Sequence, residues 1–569
     1  MNISRLLLFI FLPLLVFTIF FHPINAINQD LGRHILFGKI IVQTHAVPKI
    51  NLLSYTNPDF PFINTHWFSE VLFYLIENVM GFLGLLLITT LVATGAYLLQ
   101  LLYVKNAKAV PIIIASLFYF QILLDRTDVR PEIFSFFFLS LFIVILYTYR
   151  RGFTKWIYIL PFVELIWVNT HIYFPIGLLV LGLFLLDRLI TQRKKIASKE
   201  TIILATIFII SSIVTLINPN TLHGALYPLF VFQNYGFEIE ENHTIFDIWN
   251  LYQQKSAILY FFISVPLLFS VLLLNLKKTK PIDWFLAISF TIIAASAERN
   301  LPLFVFSTFI ACITALNNLY AKFPLGQVFN YRRMVLYIVV GLFIVWQTIS
   351  LVMFNPFGYS LSVGASKAVD FLQKNHIAGQ IFNNFDIGSY LAYRLYPQER
   401  VFVDGRPEAY PASFFQQEYI PIEQNKSLFQ QADNKYHFNI IFIAYTDVTP
   451  WNQQFLRDIN ANPLWRLVYL DPLIVIYVKN IPQNHSIKSN AILHSAQLTP
   501  LQLTKDELNH LLIFYENIGW TNEIKTVDLK LLALDPNSCA VLANLGTFLE
   551  NENDPGYVVY ATKYQSTCR

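Results

Sequence analysis

Charge is scarce in this chain: Asp, Glu, Lys and Arg make up 13% of 569 residues, against 55% hydrophobic residues, and the mean hydropathy is +0.49. One core with a water-facing surface needs more charge than that, so an ordinary soluble enzyme is excluded and the composition is that of a chain in a lipid bilayer. The net charge of +4 is too thin over this length to attract nucleic acid. Cysteine is nearly absent too. Cys312 lies in an apolar run and Cys539 and Cys568 lie near the C-terminus, which excludes a disulfide scaffold and a zinc site and leaves at most one disulfide, Cys539 to Cys568. The soluble part lacks GxGxxG and GxxxxGK[ST], so nucleotide binding is not indicated.

What is present is a series of long apolar runs. A helix crosses the hydrocarbon core with roughly 20 apolar residues, fewer when it packs behind others. Eleven segments meet that measure, at about 5–22, 81–104, 109–124, 132–149, 156–170, 173–190, 201–217, 257–276, 283–297, 301–320 and 334–354. Basic residues fill alternate gaps: Lys105 and Lys108; Arg150, Arg151 and Lys155; Arg193, Lys194, Lys195 and Lys199; Lys277, Lys278 and Lys280; Lys322, Arg332 and Arg333. The positive-inside rule makes those gaps cytoplasmic and, with Arg5 inside and an odd number of spans, sets the other gaps and everything beyond residue 355 outside the cytoplasmic membrane. The outer gaps carry the acids Asp30, Glu70, Asp125, Asp128, Glu238, Glu240, Glu241 and Glu298. The first span reads as an uncleaved anchor, because Ile24-Asn25-Ala26 is a poor signal-peptidase site.

The pattern divides the chain into a transmembrane domain, 1–354, with a long first outer loop at 23–80; an external α/β domain, 355–480; and a linker with a helical tail, 481–569. In the first loop, Leu31 to Val42 and Trp67 to Ile76 read as short amphipathic helices lying at the interface, separated by turn residues from Pro48 to Pro61. The fourth outer loop, Asn218 to Lys255, reads as a solvated connection or a cover for a lipid groove. In the α/β domain, strands are expected at 380–383, 400–404, 439–444, 467–470 and 473–478, with helices at 363–376, 386–396, 413–431 and 451–460, giving a largely parallel sheet closed by a hairpin. A polar linker, Gln483 to Leu498, precedes the tail. There Leu531 to Gly546 resembles one tetratricopeptide-type repeat, which packs on the α/β domain or binds a protein partner.

Several blocks share a wider likeness: Asp30-Leu-Gly-Arg-His-Ile-Leu-Phe-Gly38, Ser54-Tyr-Thr-Asn-Pro58, Asn64-Thr-His-Trp-Phe-Ser-Glu70, Arg130-Pro-Glu132, Asn169-Thr-His171, Glu298-Arg299-Asn-Leu-Pro302, Asn383-Asn-Phe-Asp-Ile-Gly-Ser-Tyr-Leu391 and Asp404-Gly-Arg-Pro-Glu408. Over about residues 1–480 they resemble bacterial multi-span proteins of GT-C glycosyltransferase architecture, the mannosyltransferase and arabinosyltransferase type. The resemblance implies transfer of a sugar from a polyprenyl-phosphate carrier to an acceptor glycan, lipid or protein at the outer face. It gives Asp30 the role of base, with Asp125 or Asp128 as second carboxylate. If a divalent metal ion takes part, Asp30 and Asp128 are its candidate ligands; no short metal motif is present.

The residues themselves add candidates. Arg130 and Arg299 stand at outer helix ends, where a guanidinium fork suits phosphate; pairing with Glu132 and Glu298 is the plainer alternative. His34, His66 and His171 also face outside, and His66, flanked by Asn64 and Glu70, is the preferred substrate contact among them. A local cluster of Asp125 and Asp128 with Arg126 and Arg130 is the alternative to catalysis for those acids. Against the transferase stand a non-catalytic membrane scaffold with this architecture and a transporter; the scarcity of charge within the spans argues against the latter.

Overall fold

The computed structural model describes residues 3–24, 30–193, 196–231, 235–252, 255–322, 341–342, 345–351, 353, 357–361, 364–488 and 491–568. The expected span at 334–354 lies largely outside these, as do Asn25 and Ala26 of the cleavage reading and Lys194, Lys195, Arg332 and Arg333. Two compact units result, one of Met1–Asn25, His34–Lys49 and Phe62–Leu361, the other of Ala26–Arg33, Ile50–Pro61 and Ser362–Arg569.

The first unit is helical. In chain order its helices are α1 (Ile3–Phe20), α2 (Leu31–Thr44, whose first three residues count with the second unit), α3 (Trp67–Tyr103), α4 (Ala109–Leu123), α5 (Glu132–Arg151), α6 (Leu160–Thr170) and α7 (Pro175–Thr191). There follow α8 (Lys199–Val214), α9 (Thr221–Leu226), α10 (Ile245–Tyr252), α11 (Ser256–Leu274), α12 (Pro281–Ser296) and α13 (Leu301–Lys322). The other ten apolar segments coincide with helices. Among the described residues four helices are long and apolar enough to cross a membrane: Trp67–Tyr103, Glu132–Arg151, Ser256–Leu274 and Glu298–Lys322. On α8, Ile202, Ile209 and Ile213 are more than half exposed. Apolar surface turned outward on such a helix is a face for lipid, and the chain is a membrane protein.

Several buried polar groups inside this unit find internal partners, as an apolar solvent favours, whereas both carboxylate oxygens of the buried Glu164 accept no hydrogen bond. Gln100 donates to Phe306 O (2.6 Å) and to Ser140 Oγ (3.0 Å), and the Tyr119 hydroxyl meets Thr308 Oγ1 at 2.8 Å. The stretch Trp67 to Ile76 lies in a helical segment that a kink at Gly81, where φ is 64° and ψ is −169°, separates from the long apolar run after it; glycine adopts that conformation without a Cβ clash. α2 packs hard against the start of α3, since a Cβ on Gly38 would lie 2.0 Å from Glu70 O.

The second unit carries a five-stranded sheet of order β1-β2-β4-β3-β5, from β1 (Ile381–Asn383), β2 (Ile440–Ala444), β3 (Trp465–Leu470), β4 (Ile474–Lys479) and β5 (Ala491–Ile492). It is mixed, not largely parallel. β1 with β2 and β3 with β5 run parallel, while β4 runs antiparallel to both β2 and β3. The hairpin return β4 slots between β2 and β3, which a helix, Pro450–Asn460, connects. Residues 400–404 form no ladder strand; they hold one bridge, Val401 to Ser54. The expected helix at 413–431 is broken into Ala412–Phe414, a π turn at Phe415–Tyr419, Ile420–Gln424 and Lys426–Tyr436. Asn425 forces the last break: it leaves the helical region and its Oδ1 accepts from Ser427 N and Leu428 N at the start of the next helix.

Helices α14 (Gly364–Lys374) and α15 (Phe385–Leu395) flank β1 in sequence. The polar stretch 483–498 is not a bare linker, since it contains β5 and the turn Ser495–Leu498. Numbering onward from Lys426–Tyr436 (α16) and Pro450–Asn460 (α17), the tail consists of α18 (Lys505–Ile518), α19 (Thr521–Leu534), α20 (Cys539–Asn551) and α21 (Tyr557–Cys568). A disulfide joins Cys539 to Cys568, the first residue of α20 to the last of α21.

A side chain at either close glycine approach must push backbone apart. On Gly388 of α15 a Cβ would lie 1.9 Å from Val403 O, whereas Gly152 has nothing within 4 Å. Gly38→Val and Gly388→Val are expected to cost at least ~1–3 kcal/mol, read as a lowered thermal midpoint of the detergent-solubilised protein, with Gly152→Ala unchanged. An unshifted midpoint for Gly388→Val would refute the packing.

Candidate functional site

Three arginines at helix ends of the first unit gather around one carboxylate. Arg126 follows α4 and grips Glu132, at the start of α5, with Nε to Oε1 at 3.0 Å and Nη2 to Oε2 at 2.8 Å. Its Nη1 donates to Glu241 Oε2. Arg130 Nη1 donates to the same oxygen at 2.9 Å, and Arg299 Nη1 lies 3.9 Å from Glu241 Oε1. Burial alone would push the Glu241 carboxyl up, but the charges of Arg126, Arg130 and Arg299 outweigh it and hold it well below the usual carboxylate range. Burial also works against the Arg126 charge, and Glu132 and Glu241 overcome it.

Beside this cluster Lys255 binds the second group of acids. Its Nζ lies 2.9 Å from Glu298 Oε1, 3.6 Å from Glu240 Oε1 and 3.9 Å from Asp125 Oδ1. Burial and then the Glu298 carboxylate push Asp125 up to about 6, against the pull of Lys255 and Arg126. Asp128 is half-buried on the same connection. The pairing of Arg130 is with Glu241, and that of Glu298 is with Lys255, so neither expected local pair forms as written.

A row of rings leads from Glu70 to Arg299. His34 Nδ1 meets Glu70 Oε1 at 3.0 Å, and Asn64 Nδ2 donates to Glu70 Oε2 at 2.5 Å. Asn64 Oδ1 in turn accepts from His66 N at 2.9 Å. Ring centroids then step from His34 to His66 (5.5 Å), His66 to His171 (5.1 Å) and His171 to Tyr173 (4.6 Å), and the Arg299 guanidinium lies 5.8 Å from the Tyr173 centroid. Burial, followed by the charges of His66, Arg299 and Arg126, keeps the His171 imidazole well below its ordinary pKa, hence neutral. A cavity of about 430 Å³ with largely apolar walls, including Ile176, Leu229, Val231, Ile293 and Leu303, has Arg299 and Asn300 in its lining.

Asp30 belongs to the second unit. Its Oδ2 pairs with Arg33 Nη2 at 3.0 Å, and Ser389 Oγ donates to its Oδ1 at 3.3 Å while accepting from Gly405 N at 3.2 Å. The turn that follows is fixed by a fully buried ion pair: Arg406 Nε and Nη2 donate to the two oxygens of Asp404 at 2.6 and 2.7 Å. Arg406 Nη2 also reaches Asn51 Oδ1 at 2.7 Å, and the Tyr410 hydroxyl donates to Asp404 Oδ2 at 2.9 Å. Two further acids adjoin Asp30. Burial raises Glu408, against the pull of Arg33. Burial, then the charges of Asp447 and Asp30, push the exposed Asp386 up to about 7. Among the described residues no three side chains of the metal-binding kinds converge, and Asp30 is engaged by the Arg33 cation, so these residues do not fit a metal ion.

Sequence reasoning passed over Glu241, Lys255, Asp386 and Glu408 as functional residues. Three outward arginines on a lipid-embedded unit require acids, and Glu238 to Glu241 was the available stretch; Asp386 and Glu408 stand inside blocks already singled out. No protein-family model and no curated protein matches the chain. Solved structures match it in fold. The archaeal oligosaccharyltransferase AglB from Archaeoglobus fulgidus, in complex with an inhibitory peptide and a dolichol-phosphate, aligns with a TM-score of 0.55 at 11% identity over 94% of this chain and 86% of its own. ArnT from Cupriavidus metallidurans, bound to undecaprenyl phosphate, aligns with a TM-score of 0.51 at 11% identity over 86% of this chain and 99% of its own. The chain has the GT-C fold.

Removing the shared carboxylate leaves three guanidinium groups facing one another. Glu241→Gln is expected to cost about 3 kcal/mol at pH 7. Because the folded-state pKa of Glu241 is depressed, its stabilisation is present above the unfolded value, about 4.3, and is lost as pH falls through the lower folded value. The gap in thermal midpoint between parent and variant should therefore be widest near neutrality and close in acid; a gap independent of pH contradicts the assignment.

Proposed function

We propose that the chain is an integral-membrane glycosyltransferase of the GT-C type, taking a sugar from a polyprenyl-phosphate carrier and passing it to an acceptor glycan, lipid or protein at the outer face of the cytoplasmic membrane. The observation that carries this reading is the meeting of Arg126, Arg130 and Arg299 beside an apolar cavity that Arg299 lines. A lipid phosphate asks for that combination, an apolar wall for the prenyl chain and guanidinium donors for the head. The fold likeness to a structure holding dolichol-phosphate and another holding undecaprenyl phosphate supports it.

In the reaction the acceptor oxygen bonds to the anomeric carbon as the bond from that carbon to the carrier phosphate breaks. The departing phosphate gains negative charge, which the arginines stabilise by displacing Glu241 as their counter-charge. The acceptor proton passes to a carboxylate, the role that the resemblance assigns to Asp30, with Asp125 or Asp128 as the second acid. Glu70, with His34 and His66, supports substrate binding through the row of rings that ends at Arg299. The basic gaps between spans support eleven crossings with the C-terminal parts outside. The Cys539–Cys568 disulfide agrees with an oxidising exterior, and the helical tail is available there for a protein partner.

Incubating membranes with polyprenyl-phosphate sugars tests the reading. Arg299→Ala and Asp30→Asn are expected to lower kcat by roughly 10²-fold or more at unchanged protein level. If Asp30→Asn leaves every lipid-linked and glycan product of the host unaltered while loss of the whole chain changes them, the transferase fails and a scaffold role takes its place.

A further inference from the structure

The tail holds a cavity of about 630 Å³ walled by one face of α18 and one face of α20, with α19 beneath. Its floor is Asp528, 0% exposed in the middle of α19. Asp528 Oδ2 accepts from Asn544 Nδ2 at 2.9 Å, and the same amide nitrogen donates to Glu516 Oε1 at 3.1 Å. Two carboxylates therefore share one amide. Asp528 Oδ1 is buried and accepts no hydrogen bond, and among the described residues no Lys or Arg pairs with Asp528 or Glu516. The titratable groups that line the cavity are Lys505 and Glu516 from α18 and Asp528 and Asp535 from α19. The single ammonium, Lys505, is paired with Asp535 at 3.1 Å.

We infer that this groove binds an extended peptide segment and receives one of its Lys or Arg side chains against Asp528 and Glu516. A buried carboxylate oxygen without a donor costs free energy that an incoming N–H returns. The lining carries three acids to one base, so a cationic side chain complements it. Lys505 to Glu516 spans roughly 16 Å of helix at 1.5 Å per residue, which an extended strand covers in about five residues. Asn509 offers a further amide for peptide backbone, and Leu512 and Val541 give an apolar contact beside the charge. Burial, then the Glu516 charge, push Asp528 up to about 7, so Asp528 adds its own charge to the site only above that pH. The inference stands apart from the transferase reading, since no residue of either site described above takes part.

The full-length detergent-solubilised protein, presented with a heptapeptide library in which every position varies, tests it. One position is expected to favour Lys or Arg at least tenfold over Gln. The preference should fall at least tenfold in Asp528→Asn and in Glu516→Gln, and should weaken as the pH is lowered from 8 to 6. Asp528→Asn should at the same time keep or raise the thermal midpoint at pH 8, because it removes a charge that burial disfavours; a merely structural Asp528 would lower it. Absence of any basic preference, or a preference undiminished in the two variants, overturns the proposal. Glu516 is exposed, so its variant reports on binding even if Asp528→Asn fails to fold.

Discussion

A guanidinium group surrounded by apolar helices must bring its counter-charge with it, and in the first unit three of them share one carboxylate. Glu241 is what permits Arg126, Arg130 and Arg299 to face the same point. Without it, mutual repulsion and lost hydration would drive the arginines outward. The same arrangement leaves an anion-shaped vacancy whenever Glu241 withdraws, with an apolar cavity at its side. In the transferase proposed above, stability of the resting protein and affinity for a phosphate draw on one set of donors.

The second unit solves the corresponding problem by closure. Asp404 and Arg406 are both fully buried and bind one another bidentately, with Asn51 accepting from Arg406 and Tyr410 donating to Asp404. That pair fixes the turn whose Gly405 reaches Ser389, and Ser389 holds Asp30. Orientation of the expected base is therefore shared between this buried network and Arg33 of the helix that follows Asp30.

The helices were legible because a run of about 20 apolar residues has few other uses, and their ends were marked by charge. Turns such as Asn425, a side-chain cap in plain view, were legible as chemistry yet lost within a longer periodic pattern. Strand direction was not legible. Alternation marks a strand but says nothing of its neighbour, so the return strand Ile474–Lys479 could not be seen to slip between the two strands joined by a helix. Val401 to Val403 read as a strand from their side chains, although they make one bridge and otherwise fill the core. At the site, Arg130 and Arg299 stood out by residue type, but Glu241 lies 111 residues from Arg130 in sequence, and no local pattern announces such a partner.

The short segment Ile50–Pro61 belongs to the second unit although its main part begins only at residue 362; Asn51 and Arg406 are 355 positions apart. At synthesis rates of about 5–20 residues per second, Asn51 leaves the ribosome roughly 20–70 s before the arginine it will bind. During that interval the segment has been made and its partner has not. The second unit thus cannot close around Asn51 until the segment carrying Arg406 has been made.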